Sequence, residues 1–133
     1  MAEHLKLAGE WVGEGATNLD EILQKLGVGF MIRKMAGSIK PTQKISFADN
    51  KMTVSNPKRG EEIIPLDGSQ FEGRIMDKTT VGSTTVDDSG VITMKGKVGD
   101  MDLLTVRKMN EHGQMVFSMT VDGVESVRIF NRK

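Results

Sequence analysis

The feature that most constrains the fold is a long succession of short alternating segments after Pro41. Two Asp-Gly dipeptides, Asp67-Gly68 and Asp122-Gly123, separate such segments and are strong signals for β-hairpins. The pattern predicts nine strands, at 42–48, 51–56, 61–66, 70–76, 79–86, 91–97, 102–109, 114–121 and 123–131, and an earlier one at 10–14 makes ten. Many short antiparallel strands at regular spacing indicate an all-β fold, either an up-and-down barrel or a sandwich.

One segment before the strands has helical periodicity. Residues 17–26 predict an amphipathic helix that Thr17 or Asn18 caps and Gly27 ends. Its apolar residues follow the i, i+3, i+4, i+7 spacing of one helix face: Leu19, Ile22, Leu23 and Leu26.

A second short helix follows directly. The segment 28–36 places apolar residues near one face and is predicted to end at Gly37. Lys40-Pro41 then leads the chain out of the helical region, because the residue before proline disfavours helix. The sequence therefore predicts a helix–turn–helix followed by a β-domain.

Charge and residue usage exclude several function classes. Eighteen Lys and Arg balance eighteen Asp and Glu, so no overall field steers the chain to nucleic acid. There is no cysteine, and His4 and His112 are the only histidines, which leaves little for a metal site or a catalytic triad. We find no nucleophile–base pair and no phosphate-binding glycine loop. We therefore expect a protein that is not an enzyme and has no metal or cofactor.

The chain also shows no targeting or membrane-spanning pattern. Residues 1–13 lack the apolar run of a signal peptide, and no stretch approaches the length of a membrane span. Together with the missing cysteines, this predicts one soluble domain over 1–133. We expect a monomer in the cytoplasm, with entry into the nucleus left open.

Two arginines have an unusual phase in the last three predicted strands. Arg107 and Arg128 alternate in step with apolar and small residues, so both are candidates for the interior of a barrel, where an unpaired charge needs an anion. The alternative is that both point outward, or pair with internal carboxylates and serve only the fold. The faces in question hold Leu103, Thr105, Arg107 and Met109; Met115, Phe117, Met119 and Val121; and Val124, Ser126, Arg128 and Phe130.

Three motifs carry a resemblance to a known family. The run 26–42, LGVGFMIRKMAGSIKPT, resembles the second helix and exit of the intracellular lipid-binding proteins, in particular the cytosolic fatty-acid-binding proteins. Gly9-Glu10-Trp11 followed by Asn18-Leu19-Asp20 resembles the N-terminal signature of that family, and 123–130 resembles its final strand. The three motifs occur in order and at the right separations.

The resemblance implies both a fold and a function. The fold is a slightly open, ten-stranded antiparallel up-and-down β-barrel, or β-clam, which is lipocalin-like and has a helix–turn–helix lid. The function is that of a non-catalytic intracellular carrier that holds a long-chain fatty acid in the barrel. Retinoic acid or another hydrophobic carboxylate is the alternative ligand.

The resemblance also implies site residues. It assigns the ligand carboxylate to Arg107 and Arg128, with Arg107 ranked first because Phe130 stands where many relatives have tyrosine. Asp77 matches the position whose carboxylate pairs with the last-strand arginine in the family. The implied pocket for the tail comprises Leu19, Leu23, Val28, Met31, Met35, Ala36, Pro41, Met76, Asp77, Met115, Phe117, Met119 and Phe130.

Other residues have two readings each. The basic pair Arg33-Lys34 on the second helix could contact anionic lipid headgroups, at about 1 kcal/mol per charge, or could be a solvated helix face. We expect Met52 and Met94, together with Met109, to fill the core rather than line a site. We expect the same of Trp11.

Overall fold

The computed structural model, which describes residues 2–133, contains one ten-stranded antiparallel sheet. The strands follow chain order, and β1 joins β2 on one side to β10 on the other, so the sheet curls into a barrel. Only β4 and β5 lack a ladder between them, which leaves one gap. The predicted barrel is confirmed. The strands are β1 (Gly9–Gly13), β2 (Thr42–Ala48), β3 (Lys51–Asn56), β4 (Gly60–Pro65), β5 (Gln70–Ile75), β6 (Lys78–Val86), β7 (Ile92–Val98), β8 (Met101–Met109), β9 (Met115–Val121) and β10 (Val124–Arg132).

The hairpin turns have the backbone geometry that their residues favour. Asp122 and Gly123 between β9 and β10 both have positive φ, 48° and 87°. A two-residue turn with both φ angles positive matches the twist of the strands, and Asp-Gly tolerates it. β2 and β3 begin and end where the sequence predicts, and the other strands are within one residue of prediction.

Two helices, α1 (Leu19–Lys25) and α2 (Phe30–Ser38), separate β1 from β2. Gly27 follows α1 with φ 78°, as predicted. The predicted capping is wrong, because both candidate side chains bind β10 instead. Thr17 Oγ1 accepts a hydrogen bond from the Val127 N–H at 3.0 Å, and Asn18 Nδ2 donates to a β10 carbonyl oxygen at 3.0 Å. These bonds attach the start of α1 to the barrel.

The predicted end of α2 at Gly37 is also wrong. The helix continues through Gly37 to Ser38, and the Ile39 N–H still bonds to the Ala36 carbonyl oxygen. Pro41 accounts for the later end, since it disfavours helix in the residue before it.

A short 3₁₀ helix, Glu3–Leu7, was not predicted; it packs at the end of the barrel. Trp11 Nε1 donates to the Leu7 carbonyl oxygen at 2.9 Å, and the Trp11 side chain is fully buried, as expected for a core residue. The Arg132 guanidinium lies over the Trp11 ring at 4.2 Å and donates to the carbonyl oxygens of Ala8 and Lys6, each at 2.8 Å. One arginine therefore fastens the 3₁₀ helix to the barrel.

The interior contains two hydrophobic clusters. The Trp11 core fills the end below the 3₁₀ helix: Leu7, Trp11, Ile45, Met52, Ile64, Leu66, Ile92, Met115 and Phe130. The helix core lies between α1 and the barrel: Ile22, Leu23, Leu26, Val98, Leu103 and Val121. Burial of these side chains is the main stabilising term of the fold.

Arg132→Ala should lower the free energy of unfolding by about 1–2 kcal/mol, because it removes a cation–π contact and two charge-assisted hydrogen bonds. Urea denaturation followed by fluorescence of the single tryptophan measures the change. Lys133→Ala, next along the chain, is the control and should leave stability unchanged. An unaltered midpoint for Arg132→Ala would contradict the assigned role.

Candidate ligand-binding site

Arg107 projects from β8 into the barrel and is only 7% exposed. Its Nη1 donates to Gln43 Oε1 on the opposite side of the barrel at 2.9 Å. The guanidinium also lies 4.7 Å from the centre of the Phe117 ring, whose residue is its direct partner on β9. Arg107 therefore has the interior orientation for which the phase of β8 in the sequence made it a candidate.

The environment of Arg107 is apolar and poorly supplied with counter-charge. Burial lowers the pKa of Arg107 to about 10, and the negative charge of Glu62 acts in the opposite direction. The group remains a cation at neutral pH. Among residues 2–133 no carboxylate lies within 4.0 Å of it, and Nε and Nη2 have no hydrogen-bond partner there. Such a guanidinium can offer its free donors to an anion.

The cavity beside Arg107 has a volume of about 110 Å³, counted as space open to the centres of water molecules. That is room for several waters but not for a long acyl chain, so a lipid tail needs the walls to move. The cavity is lined by Met52, Glu62, Ile64, Phe71, Gly73, Arg74, Ile75, Thr80, Thr84, Ile92, Met94, Thr105, Arg107, Phe117 and Met119. Met52 belongs to the Trp11 core, Met109 packs against it and Met94 packs against the helix core, as expected. Met52 and Met94 also line this cavity.

The residues expected at the lipid tail are spread over several places. Phe117 and Met119 line the cavity. Met115 and Phe130 lie in the Trp11 core, and Met31 and Met35 are largely exposed on α2. The remaining apolar residues from the helices and the β5–β6 turn belong to the helix core or pack against it: Leu19, Leu23, Val28, Ala36 and Met76.

Arg128 lies in the same cross-strand row as Arg107, with Phe117 between them, but its guanidinium is directed elsewhere. Its Nη1 donates to the Glu14 carbonyl oxygen at 2.6 Å, near the start of the helical lid. Burial and then the nearby charge of Arg59 lower the pKa of Arg128. The two arginines therefore occupy different environments.

Two further contacts define the surroundings of Arg128. A Cβ on Gly13 would lie 2.9 Å from Arg128 Cδ and 3.0 Å from the Pro41 ring, so glycine makes room for both side chains. The expected Asp77–Arg128 pair is not formed, since no ion pair in residues 2–133 joins them. Asp77 lies exposed in the β5–β6 turn.

The basic pair on α2 is divided between two roles. Arg33 Nε donates to Asp20 Oδ1 on α1 at 2.8 Å, and Arg33 Nη1 donates to the Val28 carbonyl oxygen at 2.8 Å. Arg33 therefore joins the two helices, whereas Lys34 is exposed.

Sequence reasoning missed the polar members of the cavity. Glu62 and two buried threonines, Thr80 and Thr84, face the interior, and Thr84 Oγ1 has no hydrogen-bond partner among the described residues. The regular alternation of Thr80, Gly82 and Thr84 along β6 was a usable signal. Glu62 had no such signal. The sequence Glu61-Glu62-Ile63-Ile64 does not alternate between polar and apolar residues, so it does not show which face of the strand Glu62 occupies.

Comparisons with known proteins agree with this architecture. A fatty acid-binding protein of Clonorchis sinensis is 35% identical over 128 residues, which cover 93% of this chain and 96% of the relative. A fatty acid-binding protein of Tyrophagus putrescentiae is 30% identical over 131 residues, with coverage of 97% and 99%. The solved REP1-NXSQ fatty acid transporter superposes with a TM-score of 0.82 at 25% identity, with 96% of each chain covered.

The nearly closed ten-stranded barrel with two helices between its first two strands is the fold of these fatty-acid-binding structures. With relatives at this identity over nearly the whole chain, the protein belongs to the fatty-acid-binding protein family. A scan against protein-family models gave no match. Within residues 2–133, none of the helices has the length and apolar character needed to cross a bilayer.

Arg33→Gln should loosen α2, because it removes the ion pair to Asp20 and the bond to the Val28 carbonyl oxygen. Hydrogen–deuterium exchange of the α2 amides should accelerate about fivefold, as expected for a loss near 1 kcal/mol. Lys34→Gln is the matched control and should leave exchange unchanged. Equal acceleration in both variants would show that net charge, not the tie between helices, governs the lid.

Proposed function

We propose that the protein is a non-catalytic carrier that holds a long-chain fatty acid in the barrel, with the carboxylate at Arg107. The observation that carries the proposal is a buried guanidinium with free donors beside a largely apolar cavity inside the barrel. Two of the relatives named above are fatty acid-binding proteins and the third is a fatty acid transporter, which supports a fatty acid as the ligand. We expect the carrier to act as a monomer in the cytoplasm, with nuclear entry open to test.

The energetics divide between tail and head. Each buried methylene contributes roughly 0.8 kcal/mol, so the tail supplies most of the affinity. The guanidinium returns charge-assisted hydrogen bonds to a carboxylate that has lost its water, and so fixes the orientation of the ligand. Methionine side chains in the wall, Met52, Met94 and Met119, are flexible enough to make room for an acyl chain.

Arg107 is proposed as the principal anchor and Arg128 as a weaker contact. Arg107 borders the cavity, whereas the Arg128 guanidinium binds the Glu14 carbonyl oxygen. The tail pocket is proposed to include Phe117 and Met119 first. The other tail-pocket residues that the family resemblance implies would contact the ligand only when the cavity walls move apart.

Arg107→Met should weaken oleate binding roughly 30-fold or more, since a desolvated carboxylate loses its cation, while Arg128→Met should cost less than about fivefold. Titration calorimetry measures both. Oleyl alcohol, which has no charge, is the control ligand and should bind both variants like the unaltered protein. Equal losses for oleate in the two variants would contradict the ranking.

The alternative ligand, retinoic acid, shares the carboxylate but has a rigid, bulky tail. Competition between oleate and retinoic acid for the purified protein separates the two. We expect oleate to resist displacement, because a narrow cavity adapts more readily to a flexible chain. Displacement of oleate by equimolar retinoic acid would therefore favour the alternative.

We further propose a transient contact of α2 with anionic membranes. No residue of α2 is buried, and Phe30, Met31 and Met35 are 65%, 72% and 60% exposed. Exposed apolar side chains beside a free cation, Lys34, suit the boundary between headgroups and acyl chains. Arg33, the other member of the basic pair, forms an ion pair with Asp20, so Lys34 is the residue proposed to contact the headgroups.

Met31→Ser with Met35→Ser should slow transfer of a fluorescent fatty acid to phosphatidylserine-containing vesicles severalfold, because insertion of the helix is lost. Stopped-flow transfer assays measure the rate. Leu5→Ser is the control, since Leu5 is also exposed, at 51%, but lies on the 3₁₀ helix. Rates that do not depend on vesicle concentration would contradict direct contact.

A further inference from the structure

The cavity that Arg107 lines also contains an acid, Glu62. Glu62 lies on β4, in phase with the buried Ile64, and its carboxylate extends across the gap to β5, where Oε2 accepts a hydrogen bond from the Arg74 N–H at 3.3 Å. β4 and β5 have no ladder between them, so this side chain supplies a bond that the sheet lacks there. Glu62 and Arg107 line the same cavity without forming an ion pair within 4.0 Å.

The Glu62 carboxylate occupies space that Gly73 leaves open. A Cβ on Gly73 would lie 2.9 Å from Glu62 Oε2 and 3.0 Å from Thr80 Oγ1. Gly73 itself is buried. The hydrogen bond from the Arg74 N–H is the contact that joins Glu62 to β5.

The other charged groups near Glu62 do not compensate it. On β3, the residue directly opposite is Val54, and on β6 the nearest side chain is Thr80, both uncharged. From β5, Glu62 receives the backbone N–H of Arg74, whose residue is exposed. The remaining charged residues on β3 to β6 are exposed: Lys51, Glu61, Glu72, Arg74 and Lys78. Arg74 also lines the cavity but is exposed, so Arg107 is the buried cation that the negative charge of Glu62 acts on.

We infer that Glu62 balances the charge of Arg107 when no ligand is bound. A bound fatty acid carboxylate then takes over that role, and Glu62 takes up one proton. The inference rests on the proposed function. Two carboxylates sharing one cation in a poorly solvated space repel each other, and protonation of one removes the repulsion. The charges balance: ligand anion, solvent proton and ionised Glu62 give bound anion and neutral Glu62.

Glu62 is then a residue that determines head-group selectivity. It weakens the binding of an acid relative to a neutral lipid of equal length, and it makes acid binding tighter as the pH falls. Protonated Glu62 keeps its carbonyl oxygen, so the bond from the Arg74 N–H can persist in the complex. The gap between β4 and β5 therefore need not open when the acid binds.

Calorimetry of oleate binding at neutral pH, in two buffers of different ionisation enthalpy, counts the protons directly. The unaltered protein should take up close to one proton per oleate, and Glu62→Gln should take up none. Glu62→Gln should also bind oleate at least about fivefold more tightly, because the amide keeps the acceptor and removes the charge. Glu61→Gln, the exposed neighbour, is the matched control and should behave like the unaltered protein.

Oleyl alcohol tests whether the cavity is intact, since its affinity should be equal in all three proteins. Absence of proton uptake in the unaltered protein would overturn the inference even if no variant could be made. Weaker oleate binding by Glu62→Gln would also overturn it, and would make Glu62 a positioning residue for Arg107. If oleate does not bind the unaltered protein at all, the proposed function itself fails, an outcome distinct from normal binding without proton uptake.

Discussion

The structure is organised around a guanidinium that the fold removes from water. Burying the charge of Arg107 is unfavourable unless polar groups replace its hydration. Gln43 supplies one acceptor from the opposite wall, the face of Phe117 supplies a quadrupole, and Glu62 supplies a distant negative charge. None of them forms a direct ion pair with it. The barrel interior therefore does not close into a uniformly apolar core, and the residual attraction for an anion is the basis of the proposed binding site.

Hydrogen bonding explains where the barrel is firm and where it is not. The end below the 3₁₀ helix combines the Trp11 core with the Arg132 clamp, which gives a densely connected region. At the other end α2 has no buried residue. The gap between β4 and β5 is a second weakly connected segment, because no ladder joins these two strands. Few buried contacts and missing ladder bonds are the features of segments that open at low free energy.

The sequence predicted the architecture well because strand alternation and Asp-Gly turns are local signals. The same alternation made Arg107 a candidate for the interior but left the outward orientation open, and only the family resemblance favoured the interior. The capping of α1 could not be predicted, because Thr17 and Asn18 are used by β10, more than a hundred residues away. Glu62 was missed for a different reason. Its pairing with Val54 and the space over Gly73 are contacts near in the chain, but the sequence Glu61-Glu62-Ile63-Ile64 does not alternate and so does not show which face of β4 Glu62 occupies.

The same contacts explain how one barrel can hold a charged ligand without becoming a strong anion trap. A cavity with Arg107 alone would carry an uncompensated cation and would bind any hydrophobic acid tightly, which suits storage better than delivery. Glu62 brings the charge of the cavity near zero while staying far enough away to leave the guanidinium donors free. In the proposed complex, affinity depends mainly on the tail, and the head contributes a difference between two anions competing for one cation. This competition would make the proposed binding depend on pH.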